Sequence, residues 1–127
     1  MLTLLIVLFF TQGPEDAAQK NAEAWLELVD EGRYGESWDE AASLFQKAVK
    51  KEDWKRTIAS TREPLGALVS RTVTSRTYTD TLPGAPDGQY VVIQYDTKFA
   101  NKKTAVETIT PMMDPDGKWR VSGYFIR

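Results

Sequence analysis

The last third of the chain constrains the fold more than any other part of the sequence. Residues 89–126 contain three runs of strand-forming residues with turn residues between them. In the clearest run, Val91, Ile93 and Tyr95 alternate with mostly polar neighbours, as in a strand with one buried face. A fourth run, 68–79, is rich in Thr and Val and comes before the other three. Together the four runs predict an antiparallel meander.

The chain before Leu65 has the apolar periodicity of helices. The pattern predicts three helices, which run from Pro14 to a stop at Gly32, from about Gly35 to Lys50, and from Glu52 or Asp53 to the break at Pro64. Trp25, Trp38 and Trp54 lie on these helices and Trp119 lies in the last strand, so they are expected to anchor the packing. The sequence therefore predicts an α+β fold, with N-terminal helices packed on a curved four-stranded antiparallel sheet.

Composition excludes several classes of chemistry. The 127 residues include no histidine and no cysteine, which excludes a Ser-His-Asp relay, a thiolate nucleophile and a zinc site of the usual kind. The net charge is −2 and the basic residues are dispersed, which argues against nucleic-acid binding. No glycine-rich phosphate-binding loop occurs. We predict no cofactor, no metal site and no catalytic residue.

Residues 1–13 form an apolar N-terminal segment ahead of a single domain over 14–127. The first ten residues are apolar except for Thr3, and such a run is too short for a bilayer span of about 20 residues. It is similar to the apolar core of a secretory signal, although no basic residue precedes it and no small-x-small cleavage site follows. We expect a signal peptide and a secreted or periplasmic protein. The alternatives are a retained segment that contacts the membrane and an ordered apolar arm.

A set of short motifs extends over nearly the whole chain after Ala22. The motifs are Trp25-Leu26 with Asp30, Gly32 and Tyr34, then Ser37-Trp38, Trp54, Arg62-x-Pro64-Leu65-Gly66, Leu82-Pro83-Gly84-x-Pro86-Asp87-Gly88, Glu107-Thr108 and Trp119-Arg120-Val121-Ser122-Gly123-Tyr124. In this combination the chain resembles a bacterial family of secreted or envelope proteins, the domain-of-unknown-function 4019 family. Its last strand is also similar to that of cystatin-like and nuclear-transport-factor-like cones. The resemblance implies an export signal and a small α+β domain, and it brings no established activity or catalytic residues.

Glu107 lies in the middle of the third predicted strand. If Val106 faces solvent, alternation places Glu107 in the core with Ala105 and Ile109. A buried carboxylate needs a partner, and the candidates are Arg62, Arg71 and Arg120. The side chain is then either part of a structural ion pair or an acid in a pocket, with an exposed strand carboxylate as the remaining alternative.

Three further residues complete the candidate ligand-binding set. Arg62 lies where helix gives way to sheet, so it either receives a ligand carboxylate or links the helix end to the sheet. Tyr95 and Tyr124 are expected to point inwards, where their hydroxyls either orient a small polar ligand or complete the core packing.

The preferred functional interpretation is a non-enzymatic envelope domain that binds a small molecule or an envelope protein. The alternative is a small cone-fold enzyme, of the isomerase or dehydratase kind, with Glu107 as base and Tyr95 or Tyr124 as hydrogen-bond donor. That alternative requires a dry cavity on which these side chains converge. A third possibility is a module that forms a homodimer through its sheet, with Val92 in the contact.

Overall fold

The chain folds into helices followed by a sheet. A computed structural model describes residues 2–6 and 13–127. The helices are α1 Pro14–Asp30, α2 Tyr34–Asp39, α3 Ser43–Ala48 and α4 Lys51–Arg62, and one 3-10 turn, Glu63–Leu65, follows α4. The strands are β1 Leu68–Thr79, β2 Tyr90–Phe99, β3 Lys102–Met113 and β4 Trp119–Ile126.

The sheet is the predicted antiparallel meander. Its strands lie in the order β1-β2-β3-β4, and each pairs with its neighbour in the sequence. The register between β3 and β4 shifts where Thr110 pairs with Gly123 and Pro111 pairs with Val121. This irregularity lies at Gly123 and Pro111, and glycine and proline are both typical of β-bulges. The predicted α+β class, with helices N-terminal to an antiparallel sheet, is confirmed, whereas the likeness to cystatin-like and nuclear-transport-factor-like cones stays a prediction.

Helix α1 packs across the sheet and contacts all four strands. The face of α1 at the sheet carries Ala18, Ala22, Trp25, Leu26 and Val29, all buried. Their spacing of three and four residues places them on one side of a helix, which is why the segment is amphipathic. Of the four tryptophans, two are buried in the main core and the other two are partly buried against it, as the sequence predicts.

The predicted single helix over 35–50 is wrong at its centre, where the chain breaks between α2 and α3. Ala42 has an extended backbone, and its N–H donates to the Val121 carbonyl of β4 at 2.8 Å instead of continuing a helix. The Asp114 carboxylate then accepts from the backbone N–H of Ser43 at 3.3 Å and from its hydroxyl at 2.9 Å. Asp114 thus satisfies the amide at the start of α3, which a local N-cap residue does in most helices.

The two edges of the sheet are unequal. On the β4 side, the hydrogen bond from Ala42 to Val121 covers part of the edge. On the other side β1 extends for 12 residues, and most of its side chains are exposed, including Val69 and Tyr78. An uncovered edge of this length presents unpaired backbone groups to solvent.

The N-terminal segment is described only in part. Residues 2–6 have no regular secondary structure, and the side chains of Leu2, Leu4, Leu5 and Ile6 are exposed. Residues 1 and 7–12, on which the signal-peptide prediction also depends, lie outside the described residues. Within the described ranges, no helix combines the length and the apolar character that a membrane span requires.

Candidate functional site

Glu107 lies at the centre of a buried cluster of polar side chains. Strand alternation turns it inwards, which is the buried one of the two positions that the sequence left open, and its side chain is 0% exposed. Arg71 Nε donates to Glu107 Oε1 at 2.6 Å, and Arg71 Nη2 donates to Oε2 at 3.1 Å. The Thr97 hydroxyl donates to Oε1 at 2.6 Å, and the Tyr124 hydroxyl donates to Oε2. These hydrogen bonds satisfy the carboxylate on both of its oxygens, as a buried charge requires.

Asp30 continues the cluster from the sheet to the helices. It is the last residue of α1, and both of its oxygens accept from Arg71, at 2.8 Å and 3.0 Å. Arg62, the last residue of α4, donates from Nη2 to Asp30 Oδ1 at 2.7 Å. The order Glu107–Arg71–Asp30–Arg62 therefore links β3, β1, α1 and α4. We call these four residues the ion-pair cluster; it contains two carboxylates and two guanidinium groups, so its formal charge is balanced.

Burial and neighbouring charges shift the pKa values in this cluster. Burial opposes ionisation of Asp30, but the hydrogen bonds and charges of Arg71 and Arg62 hold its pKa below the ordinary value. Burial lowers the pKa of Arg71, and its two carboxylate partners more than reverse that effect, so the pKa is raised. Burial and the adjacent charge of Glu107 raise the pKa of the Tyr124 hydroxyl, which therefore stays protonated as a donor.

Arg62 is the member of the cluster with unused hydrogen-bonding capacity. Its side chain is 5% exposed, and its Cζ lies 4.8 Å from the centroid of the Phe99 ring. Nη2 binds Asp30, but Nε and Nη1 are buried and have no hydrogen-bond acceptor in the described part of the chain. Arg62 thus links α4 to α1 through Asp30. Buried donors without an acceptor are uncommon in folded proteins and destabilise them.

A cleft of about 260 Å³ lies beside Arg62. Its walls include Asp30, Gly32, Tyr34, Arg62, Glu63 and Ala67. Asp30 and Arg62 are the last residues of α1 and α4, and Tyr34 is the first residue of α2; Gly32, Glu63 and Ala67 lie in the two connections, from α1 to α2 and from α4 to β1. Gly32 and Gly66 both have positive φ there, 75° and 74°, a conformation that favours glycine. We call this site the Arg62 cleft.

The structure brings together three of the four predicted ligand-binding residues. Arg62, Glu107 and Tyr124 lie in or against the ion-pair cluster, whereas Tyr95 pairs with Glu107 across the β2–β3 ladder but directs its hydroxyl to Glu23 at 3.4 Å. Among the candidate partners of Glu107, Arg71 is the one that binds it. Arg120 is elsewhere and binds Asp114 and Asp116.

Aromatic side chains fill the interior between the helices and the sheet. The ring centroids of Trp25 and Trp54 are 5.9 Å apart, and those of Trp25 and Tyr124 are 5.4 Å apart. Tyr124 lines a cleft of about 220 Å³ with Trp54, and the side chains of Glu107 and Tyr95 lie in the packed interior of the described part of the chain, 0% and 2% exposed. Glu107 is therefore enclosed by its partners and by packed rings.

Asp30 is the functional candidate that the sequence analysis missed. A carboxylate in the last turn of a helix is unfavourable next to the helix dipole, and α1 carries no basic residue in its last turn to offset it. That mismatch indicates a cation from elsewhere in the fold, which is what Arg71 and Arg62 supply. Across residues 2–6 and 13–127, no three carboxylates come together in a way that would hold a metal ion.

Comparisons with known proteins agree with the sequence resemblance. The model of a family described as "Protein of unknown function (DUF4019)" matches residues 21–124, which include every helix and strand at least in part. The matched range contains the whole ion-pair cluster and the Arg62 cleft. No curated protein matches the chain.

Proposed function

We propose a binding function for this chain, which belongs to the DUF4019 family of proteins of unknown function. In this proposal it is a non-enzymatic domain that binds a small polar ligand in the Arg62 cleft. The observation that carries the proposal is the pair of buried donors on Arg62, Nε and Nη1, without an acceptor in the described residues. A ligand oxygen that accepted from either nitrogen would remove an energetic penalty that the unliganded domain bears.

The proposal includes a small movement on binding. Both nitrogens are buried, so an acceptor reaches them only when the cleft wall shifts. Part of the wall, Glu31, Gly32, Gly66 and Ala67, lies outside the helices and strands, where the backbone is more adaptable. Arg62 itself is fixed by Asp30 and Phe99. The guanidinium is thus preorganised while its cover is able to move.

The enzyme alternative has less support. A base must be able to take a proton from a substrate within hydrogen-bond distance. Glu107 already accepts from Arg71, Thr97 and Tyr124, and its side chain is fully buried. The raised pKa of Tyr124 keeps that hydroxyl protonated, but its proton is committed to Glu107.

A cell-envelope location is part of the proposal. The apolar start of the chain and the exposed side chains of Leu2, Leu4, Leu5 and Ile6 support a segment whose partner is the export machinery or a membrane. Fractionation of bacteria that express the full chain should place the protein in the periplasm or the medium. A chain without residues 2–13 should stay in the cytoplasm. Equal distribution of both chains would contradict this location.

The binding proposal is tested by a cleft-filling substitution. Ala67 is exposed and lines the Arg62 cleft without a side-chain hydrogen bond, so Ala67→Trp should fill the cleft and leave the ion-pair cluster intact. Ala17→Trp, on the exposed side of the first turn of α1, is the matched control. In an NMR screen of small polar metabolites against the full chain, we expect ligands that bind the wild type and the control but not Ala67→Trp. A screen without any such ligand would refute the proposal.

A second candidate, a homodimer through the sheet, is favoured by the open edge of β1. The 12-residue strand β1 forms this edge, and most of its side chains are exposed. Val92 lies on the outer face of the neighbouring strand β2. Light scattering at increasing protein concentration should reveal a dimer, and Val92→Lys should reduce it if the outer face takes part. A monomeric mass at all concentrations would remove this candidate.

A further inference from the structure

We propose that the ligand of the Arg62 cleft is a small molecule with both an acceptor oxygen and an ammonium group, such as a free amino acid. This inference rests on the proposed function, because it names the chemical class of ligand for the same cleft. It follows from two features of the cleft, namely the donors of Arg62 and the surplus of acidic groups around them.

The acceptor requirement comes from the guanidinium of Arg62. Its Nε–H and its Nη1 hydrogens point away from different edges of the planar group, and Nη2 is already bound to Asp30. Asp30 takes one of the two Nη2 hydrogens, so a single ligand oxygen is enough to reach the Nε–H or an Nη1 hydrogen. A neutral carbonyl oxygen accepts such a bond, as one oxygen of a carboxylate does.

The ammonium requirement comes from the charges of the wall. Three of its side chains, Asp30, Glu31 and Glu63, are acidic, against the single guanidinium of Arg62. Asp30 is bound by two arginines and Glu31 by Arg33, whereas Glu63 has no ion pair among the described residues. Among the described residues, the wall's carboxylate without an ion pair is therefore that of Glu63, which repels a ligand with only negative charge and attracts one that adds a cation beside it.

The end of α1 adds to the negative potential. The cleft lies at the carboxyl terminus of this 17-residue helix, and the wall includes its last residues, Val29 and Asp30. Partial negative charge accumulates on the carbonyl groups at such an end, which favours a cation. The helix end and the Glu63 carboxylate therefore both favour a cation in the cleft, whereas Arg62 favours an acceptor or an anion. The volume, about 260 Å³, suits a molecule of amino-acid size.

The test uses four probes that separate the two charges. Glycine carries both charges, glycinamide carries an ammonium and a neutral carbonyl, acetate carries only the carboxylate, and ethylammonium carries only the cation. NMR titration of the full-length protein should give tighter binding of glycine and glycinamide than of acetate or ethylammonium. Glu63→Gln should weaken binding of glycine and glycinamide by about threefold to tenfold and should leave acetate binding unchanged or stronger.

The controls separate this inference from the proposal beneath it. Glu52→Gln removes the same charge at the opposite end of α4 and should leave all four affinities as in the wild type. If acetate binds at least as tightly as glycine, and Glu63→Gln does not change this order, the ligand class is wrong while binding in the cleft stands. If the cleft-filling Ala67→Trp leaves the binding of every probe unaltered, the cleft itself is wrong and both proposals fall.

Discussion

The two ends of the ion-pair cluster are both buried charged groups, but they differ in how many of their hydrogen bonds are made. At one end, both oxygens of Glu107 accept hydrogen bonds from Arg71 and from two hydroxyl groups. At the other end, Arg62 uses one nitrogen for Asp30, and its two other nitrogens are buried without an acceptor among residues 2–6 and 13–127. A completed buried charge stabilises the fold it belongs to, and an incomplete one is where an added ligand gains most. The comparison favours a structural role for Glu107, and it is the basis on which we propose binding at Arg62.

The largest loss of stability should follow from removal of the Glu107 carboxylate, the end of the cluster whose hydrogen bonds are all made. Glu107→Leu leaves the charge of Arg71 partly unpaired and takes the acceptor from the Thr97 and Tyr124 hydroxyls, so we expect the free energy of unfolding to fall by about 3–5 kcal/mol. Urea denaturation of the purified protein measures this change. Thr108→Val is the matched control on the same strand, because the Thr108 hydroxyl is buried without a partner in the described residues. That control should be neutral or more stable than the wild type, and an equal loss in both variants would contradict the assignment.

Low pH should weaken the ion pairs of Asp30, which lies between Arg71 and Arg62 in the cluster. The pKa of Asp30 is lower in the folded protein than its ordinary value of 3.8. The folded state therefore binds fewer protons than the unfolded chain in this range, and the stability that Asp30 contributes above pH 3.8 is lost as the pH falls through the folded pKa. We would measure the free energy of unfolding from about pH 6 down to about pH 2, which includes the ordinary pKa of an aspartate. It should decline less steeply for Asp30→Asn than for the wild type. Parallel declines would show that Asp30 is not coupled to the two arginines.

A smaller effect is expected from the incomplete end. Arg62→Met keeps a long flexible side chain against Phe99, removes the two unpaired donors and leaves Asp30 bound to Arg71. We expect a loss of about 1 kcal/mol or less, because the lost pair with Asp30 is offset by the removal of unsatisfied groups. Arg71→Met, measured in the same denaturant series, should lower the free energy of unfolding by at least about 2 kcal/mol more than Arg62→Met does. The reason is that it leaves the Glu107 carboxylate buried without a cation. Equal costs for the two variants would remove the distinction between the ends.

The smallest effect should come from the acidic wall of the cleft. Glu63 is exposed and has no ion pair within the described ranges, so Glu63→Gln should change the free energy of unfolding by no more than about 0.5 kcal/mol. Thermal unfolding followed by circular dichroism provides the measurement. A large loss would mean that Glu63 supports the fold, and its effect on ligand affinity would then lose its meaning.

Local patterns were sufficient for most of the fold. The alternation in β2 and the turn residues on either side of β3 predict the meander and its order, because strand period and turn chemistry are both short-range properties. The same alternation places Glu107 in the core and limits its partners to three arginines. The choice of Arg71 was beyond the sequence, because it depends on the register in which β1 pairs with β2, Arg71 lying opposite Thr97.

Long-range contacts explain what the local patterns missed. The break between α2 and α3 depends on the Val121 carbonyl and the Asp114 carboxylate, both far along the chain from Ala42 and Ser43. Without those partners, the segment 35–50 has the apolar spacing of one continuous helix. The importance of Asp30 was missed for a related reason, since both of its arginine partners are more than 30 residues away in sequence.

The carboxylate of Asp114 has a consequence for the order of events during synthesis. Helix α3 has six residues, too few to persist alone in water, and the group that caps it is separated from it by 71 positions in the chain. While the ribosome is still producing the sheet, the Ser43 amide has no such acceptor. The segment should therefore become helical only after the turn at Asp114 has emerged and the final hairpin has closed. Ribosome-bound chains that stop before that turn should leave the backbone amides of this segment open to hydrogen exchange, whereas the finished chain should protect them.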